Sequence, residues 1–402
     1  MIIRKAYRYE MDPNRGQRIL CDKSAGVSRF TFNWGLDRRI KLYEEKHEYT
    51  NAIEQHHLLN SLKETEFPWM YEVSKCAPQE ALRDLDKAFN NFIRGRKNGR
   101  PIGFPKFKKK GCHDSFRCTG TIIVGERHIQ LPRLGKVRLK ERPAVQGRIL
   151  SATVTREADR WFVSILVEVD IPTPEPVQGV SKGLDLGLNH FVTLSTGEKI
   201  QAPKPLAKRL SKLKRASKQH SRKVKGSNNR KKSAKKLACI HRKIYNTRKD
   251  FLHKTSTRLV KTTPVIAVED LNVRGLIRNR HLSRAISDVG WGEFVRMLEY
   301  KSQWYGSKLV KVPRFFPSSK HCSKCGFLQS SMPLSVRFWT CPSCRTVHDR
   351  DINAAVNIFN YGTGSSLGIY ACGDTANGAS QKLASCVSLK QEVMSGIIVH
   401  KL

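Results

Sequence analysis

Four cysteines, Cys322, Cys325, Cys341 and Cys344, stand as two Cys-x-x-Cys pairs separated by fifteen residues. Thiolates at that spacing can close a tetrahedral zinc site, so the segment 318–348 reads as a small zinc ribbon stapled by metal. Four sulfur ligands leave no open coordination position, which makes the expected zinc structural; a redox role for either pair is the alternative. His321 and His348 flank the ribbon, are not needed as ligands, and are expected at the surface or facing nucleic acid. Directly afterwards, Asp349-Arg350-Asp351-Ile352-Asn353-Ala354-Ala355 reads as an acidic residue opening a helix. The fold must therefore accommodate a metal-stapled insert just before a candidate metal-binding carboxylate.

Charge narrows the partners. The chain of 402 residues has room for more than one core, and its 74 Lys and Arg against 34 Asp and Glu give a formal charge of +40. No topology requires that excess, so it points to a polyanion, with nucleic acid first among candidates. A ribosomal or chromatin-type scaffold is equally basic. Eleven cysteines could suggest a disulfide framework, but the seven outside the ribbon are scattered and the total is odd. Met1 to Tyr7 lacks the apolar stretch of a signal peptide, and no run approaches a membrane span. The expectation is a soluble intracellular protein, with no membrane partner.

Along the chain, residues 1–15 read as a strand and a turn at Pro13-Asn14, and 16–98 as helical. Leu82, Leu85, Phe89, Phe92 and Ile93 form one apolar stripe at helical spacing. Phe30, Phe32 and Trp34 are expected in the core of the same lobe. The loop 95–111 carries seven Lys and Arg with Phe104 and Phe107 between them. Its Lys106, Lys108 and Lys109 are candidate phosphate contacts, unless the loop is simply solvated. Runs rich in β-formers between 115 and 170, with a hairpin turn near Glu157-Ala158-Asp159, suggest a small antiparallel barrel, and Pro172, Pro174 and Pro176 mark a linker. Residues 204–261 hold 22 Lys and Arg and a single acid, Asp250, and Gly226-Ser227-Asn228-Asn229 divides them into two helices. Arg222 and Lys223, beside that break, are candidate nucleic-acid contacts. A helix is expected from Trp291 to Tyr305, a strand over Lys308–Val312, a helix from Arg350 to about Tyr361, and a disordered tail over 362–402.

Three acids occupy comparable settings: Asp185 near the end of one strand, Glu269 at the end of another, and Asp351 at the start of the last helix. Phosphodiester cleavage needs an activated water and a stabilised leaving oxygen, which two divalent cations can supply. Magnesium is hard and prefers carboxylate oxygen. Strand ends on one sheet edge converge, so acids distant in sequence can share a site. Two choices stay open on pattern alone. Glu269 and Asp270 point to opposite faces of a strand that is apolar on both. Asp349 and Asp351 flank Arg350 at a helix start, where Asp349 can serve merely as the cap.

Gly183-Leu184-Asp185-Leu186-Gly187, Val268-Glu269-Asp270-Leu271, Trp339-Thr340-Cys341-Pro342-Ser343-Cys344 and the His348–Ala355 motif together resemble the TnpB proteins. These are transposon-encoded relatives of type V CRISPR effector nucleases. Phe316-Pro317-Ser318-Ser319-Lys320, Gly290-Trp291-Gly292-Glu293-Phe294 and Gly103-Phe104-Pro105-Lys106-Phe107 fit as well, so the resemblance spans about residues 1–360. It implies a multidomain α/β protein: a RuvC nuclease domain of RNase H-like fold (177–317 and 349–361), interrupted by the zinc ribbon (318–348). It also implies an N-terminal β-barrel or wedge domain (1–15 and 112–176) with a helical recognition insertion (16–111).

The activity implied is RNA-guided, Mg²⁺-dependent cleavage of double-stranded DNA beside a short target-adjacent motif. The guide RNA would come from the transposon end, one protein binding each guide. Asp185, Glu269 and Asp351 would be the catalytic acids and hold magnesium, while Tyr49, Lys75 and Gln79 fall in the stretch that reads the motif. Delegating sequence recognition to base pairing suits a basic chain that grips a duplex by its backbone. A transposase joining DNA strands with the same acids, and an RNA-guided regulator that does not cut, are the competing functions.

Overall fold

The computed structural model describes residues 1–99, 102–333 and 335–364. Of the expected tail, everything from residue 365 lies outside the described residues; 362 and 363 instead belong to the last helix. The described residues divide into two compact units, one within 1–173 and 211–243, the other within 174–210 and 244–364. Among the described residues no helix is long and apolar enough to cross a membrane.

The first unit opens with β1 (Ile2–Asp12) and α1 (Arg15–Lys46). Asn14 sets the helix start: its side-chain oxygen accepts from Gln17 N at 2.8 Å, and Gln17 Oε1 accepts from Asn14 N at 3.1 Å. That reciprocal pair satisfies two amides the helix itself cannot. Then come α2 (Ala52–Thr65), a 3-10 turn at Pro68–Glu72 and α3 (Cys76–Lys97). Six strands follow: β2 (Ser115–Cys118), β3 (Ile123–Val124), β4 (His128–Leu131), β5 (Gly135–Leu139), β6 (Arg148–Glu157) and β7 (Arg160–Asp170). With β1 they form one antiparallel sheet, ordered β2-β6-β7-β1-β5-β4-β3. The β6–β7 turn falls at the expected place, with Ala158 at φ 57°.

Sheet and helices bury a common core that includes Ile129, Val163 and Ile165 from strands and Cys21, Leu59 and Leu82 from helices. A second cluster joins Phe32 and Leu36 of α1 to Leu85 of α3, with Phe89 packed against it. The expected stripe on α3 ends early. Ile93 is 46% exposed, where the last turns carry Arg94, Arg96 and Lys97. Phe30 and Trp34 are partly buried against the first core, and Phe32 is fully inside the second.

The second unit contains β8 (Lys182–Asp185), β9 (Val192–Leu194) and β10 (Lys199–Ile200); the chain then runs through the helices α4 (Pro205–Ser221) and α5 (Asn228–Thr262), whose residues 211–243 are grouped with the first unit. The expected break between two basic helices is therefore present. After these come β11 (Val265–Glu269), α6 (Val273–Leu276), α7 (Ser283–Val289), α8 (Trp291–Tyr305) and β12 (Lys308–Val312). The ribbon hairpin β13 (Phe338–Thr340) and β14 (Val347–Asp349) then leads into α9 (Arg350–Thr363). Five strands pair in the order β10-β9-β8-β11-β12, with β8, β11 and β12 mutually parallel.

Parallel strands end on the same edge of a sheet. Val268 pairs with Leu184, so the acids one residue later, Glu269 and Asp185, leave adjacent strands side by side. The sheet is anchored by an aromatic core in which the rings of Phe191 and Phe294 meet edge-to-face at 4.8 Å, both fully buried. Phe294→Ala is expected to cost about 3–5 kcal/mol, seen as a lower denaturation midpoint with an unchanged denaturant slope.

Candidate active site and metal-binding cluster

Asp185, Glu269 and Asp351 are brought together at the carboxyl end of the central strands. Helix α9 delivers the third acid, and a glycine lets it approach: a Cβ on Gly183 would stand 2.1 Å from Ala355 O and 2.5 Å from Phe359 N. Only a residue without a side chain allows that contact between β8 and α9. Burial pushes the Asp185 carboxyl well above the usual carboxylate range, and the charges of Glu269 and Asp351 raise it further. Arg350 and Arg337 offset part of that rise. Burial also raises Glu269, against the pull of a hydrogen bond from the Ser318 hydroxyl. Around Asp351, Arg337 Nη1 lies 3.5 Å from one oxygen and His190 Nδ1 3.8 Å from the other. Neither is a tight partner, and His190 Nδ1 is buried without a hydrogen bond. Mutually repelling carboxylates with loosely held counter-charges are the donor type a hard cation such as Mg²⁺ prefers, while among the described residues the four cysteines are the group whose ligand atoms already stand close enough to share an ion.

The neighbouring acids are committed elsewhere. Asp270 receives Arg314 Nη2 at 2.8 Å, while Arg314 Nε reaches its backbone carbonyl at 3.1 Å. Asp349 caps α9, accepting from the amides of Asp351 and Ile352 at 3.0 and 3.1 Å, and pairs with Lys199 Nζ at 2.6 Å. Although burial opposes it, the Lys199 and amide bonds hold Asp349 below the usual range. Two outcomes follow. Asp270→Asn, which loosens only an exposed ion pair, should retain activity within about threefold of wild type. Asp349→Ala should cost about 1 kcal/mol in thermal or denaturant unfolding through the lost cap.

The four ribbon sulfurs all lie within 4.8 Å of one another. Cys322 and Cys344 sulfurs are 3.5 Å apart, and those of Cys325 and Cys341 3.6 Å. A tetrahedral site with Zn–S bonds of about 2.3 Å has edges of about 3.8 Å, so the residues fit one four-coordinate ion. Each pair sits on a tight knuckle, Gly326 N donating to Cys322 O at 2.8 Å and Arg345 N to Cys341 O at 2.9 Å.

The flanking histidines do not behave as expected. His348 is buried, its Nε2 3.0 Å from Cys322 Sγ and its ring 4.9 Å from that of Trp339. β14 points this imidazole inward, where it can donate to a thiolate and steady it. His321 is half-buried, stacked on Phe316 at 5.9 Å, with its carbonyl taken by Asn353 and Asn357. Pattern could not reveal this, because a short metal-folded segment has no hydrophobic period.

The basic candidates fare unevenly. Lys106, Lys109, Arg222 and Lys223 are exposed. Lys108 is exposed as well, but its ammonium sits 3.9 Å above the Phe32 ring, and Asn33 brackets its backbone with bonds of 2.7 and 3.0 Å. Tyr49 is 82% exposed between α1 and α2, its ring 5.4 Å from that of Tyr43. Lys75 is exposed at the start of α3, with Gln79 one turn beyond.

Family models match three stretches. One described as "Probable transposase" covers residues 164–280, one described as "Cas12f1-like, TNB domain" covers 291–358, and one described as "Helix-turn-helix domain" covers 1–48. The last name does not describe the local structure, where β1 is followed by a single 32-residue helix. A protein of Streptomyces pristinaespiralis named "Putative RNA-guided DNA endonuclease" is 40% identical, over 92% of each chain. InsQ of Escherichia coli K12, which carries the same designation, is 31% identical over 92% of this chain and 94% of its own. "TnpB-like protein L79" of Acanthamoeba polyphaga mimivirus is 28% identical over 53% of this chain and 44% of its own.

Identity at that level across nearly the whole of both chains makes this protein and its Streptomyces relative members of one family. It is the TnpB family to which the chain belongs.

Proposed function

We propose that this protein is an RNA-guided endonuclease that cleaves double-stranded DNA beside a short target-adjacent motif, using a guide RNA from the transposon end. The observation that carries the reading is the convergence of Asp185, Glu269 and Asp351 from β8, β11 and α9. Its membership of a family whose members are named RNA-guided DNA endonucleases supports it.

On this reading the five-stranded sheet with α9 is an RNase H-like RuvC domain, spanning 177–317 and 349–361. Segment 318–348 is its zinc ribbon, with Cys322, Cys325, Cys341 and Cys344 holding structural zinc. The seven-stranded sheet is the barrel or wedge domain (1–15 and 112–176), and 16–111 the helical recognition domain. Asp185, Glu269 and Asp351 would hold Mg²⁺, two ions in the full site, which supplies Lewis acidity and an activated water.

The chain's own groups do the rest. Asp185, pushed toward its protonated form by burial and then by the charges of Glu269 and Asp351, would give up that proton where counter-charge is supplied. Ser318 holds the Glu269 carboxylate in one orientation. Arg337 keeps a positive charge beside Asp351 before a phosphate enters. Lys106, Lys109, Arg222 and Lys223 are free to meet backbone phosphates, and Tyr49, Lys75 and Gln79 are the surface for motif reading.

Nucleic acid that copurifies with the full-length protein tests the guide directly. Sequencing should return one discrete RNA species bound one per protein. A random cellular mixture contradicts the guide.

A further inference from the structure

Ser318 is buried, and its hydroxyl donates to Glu269 Oε1. The turn that carries it is tied to α9. Asn357 Nδ2 donates to Ser318 O and to His321 O, each at 2.8 Å. One turn earlier, Asn353 Nδ2 donates to His321 O at 2.6 Å, and Asn353 Oδ1 accepts from Ser323 N at 2.9 Å. Both asparagines are buried on the face of α9 that also buries Ala354 and Ile358. Burying two amides costs free energy that an apolar pair would not, so their presence calls for a reason.

The reason lies in what the sheet leaves undetermined. Strand register fixes Asp185 beside Glu269. No strand pairing fixes Asp351, which rides on a helix two residues before Asn353. The bonds through Asn353, Asn357 and Ser318 run without a break from that helix to the carboxylate of Glu269.

We propose that Ser318 is a positioning residue for Glu269, and that Asn353 and Asn357 hold its turn against α9, so that this bond chain sets the spacing between Glu269 and Asp351. The inference rests on reading the three acids as one divalent-metal centre. It also makes the first cysteine knuckle part of that centre's support, because Ser323 directly follows the ligand Cys322.

Thermal melting of the full-length, zinc-loaded, RNA-free protein during Mn²⁺ titration tests it. Ser318→Ala should raise the Mn²⁺ concentration for half of the stabilisation about tenfold, as loss of a ligand's supporting bond does. Zinc content and guide-RNA affinity should not change. Asn357→Ala, which keeps the hydroxyl but frees its turn, should shift the titration the same way, and it decides the matter should Ser318→Ala not fold. A wild-type titration by either folded variant, with Glu269→Gln losing the Mn²⁺ response, overturns the bond chain. A wild-type response from Glu269→Gln would instead overturn the acid centre itself.

Discussion

Replacing Asp185 by asparagine is expected to reduce DNA cleavage by at least about a thousandfold while leaving guide-RNA binding unchanged, because a carboxylate ligand is lost without touching the basic surfaces. The same variant should be more stable than wild type in metal-free solution, which a lost structural residue would not be. The sign follows from burial and from the charges of Glu269 and Asp351, which raise the folded-state carboxyl above its unfolded value. A group raised in this way favours the folded state below its unfolded pKa and loses that contribution as pH rises through the folded pKa. At neutral pH with chelator present, wild type therefore bears the ionisation penalty and Asp185→Asn does not. The gap in melting temperature should narrow as pH falls toward the ordinary aspartate range. Excess Mg²⁺ should stabilise wild type more than the variant. A variant that melts below wild type in chelator at pH 8, or that still cuts at the wild-type rate, would show the acid centre to be misassigned.

Cys341→Ser carries the other large effect. Cys341 is fully buried, and its sulfur lies 3.6 Å from that of Cys325. Among the described residues the ribbon's named strands are the short β13 and β14, too little for an apolar core, so zinc binding, about 10–16 kcal/mol in comparable peptides, would supply its folding energy. Loss of one thiolate should release the zinc, measured as metal per protein, and unfold 318–348. Cleavage should fall at least about a hundredfold even though no acid is altered, since Ser318 and Arg337 reach Glu269 and Asp351 from that segment. A variant that keeps its activity after losing zinc would separate the ribbon from catalysis.

Much of this site could be read in the sequence, and what could not has a physical reason. The cysteine spacing and the strand-end acids are local patterns whose chemistry survives without tertiary context. The α8 boundaries, Trp291 to Tyr305, agree with the periodicity because a two-sided helix advertises its buried face. Alternation alone does not choose between Glu269 and Asp270, because both faces of β11 are apolar; only the resemblance to TnpB proteins points to Glu269. Arg314, from another segment, pairs with Asp270, whereas Glu269 lies near Asp185. Likewise Lys199 engages Asp349 across 150 residues of sequence. His348 looked like a surface residue only because metal-folded segments carry no hydrophobic period. Ser318, Asn353 and Asn357 were missed for a related reason: their bonds exist only once the ribbon lies on α9. One signal was available, two asparagines four residues apart among the small apolar residues of a helix face.

Guided cleavage is tested by incubating the protein, copurified with its native RNA, with plasmids bearing a guide-matched site and randomised flanks in Mg²⁺. Free double-strand breaks are expected at the matched site, enriched for one flanking sequence and absent with Asp185→Asn. Intact plasmid despite bound RNA, or DNA ends recovered covalently joined, would contradict it.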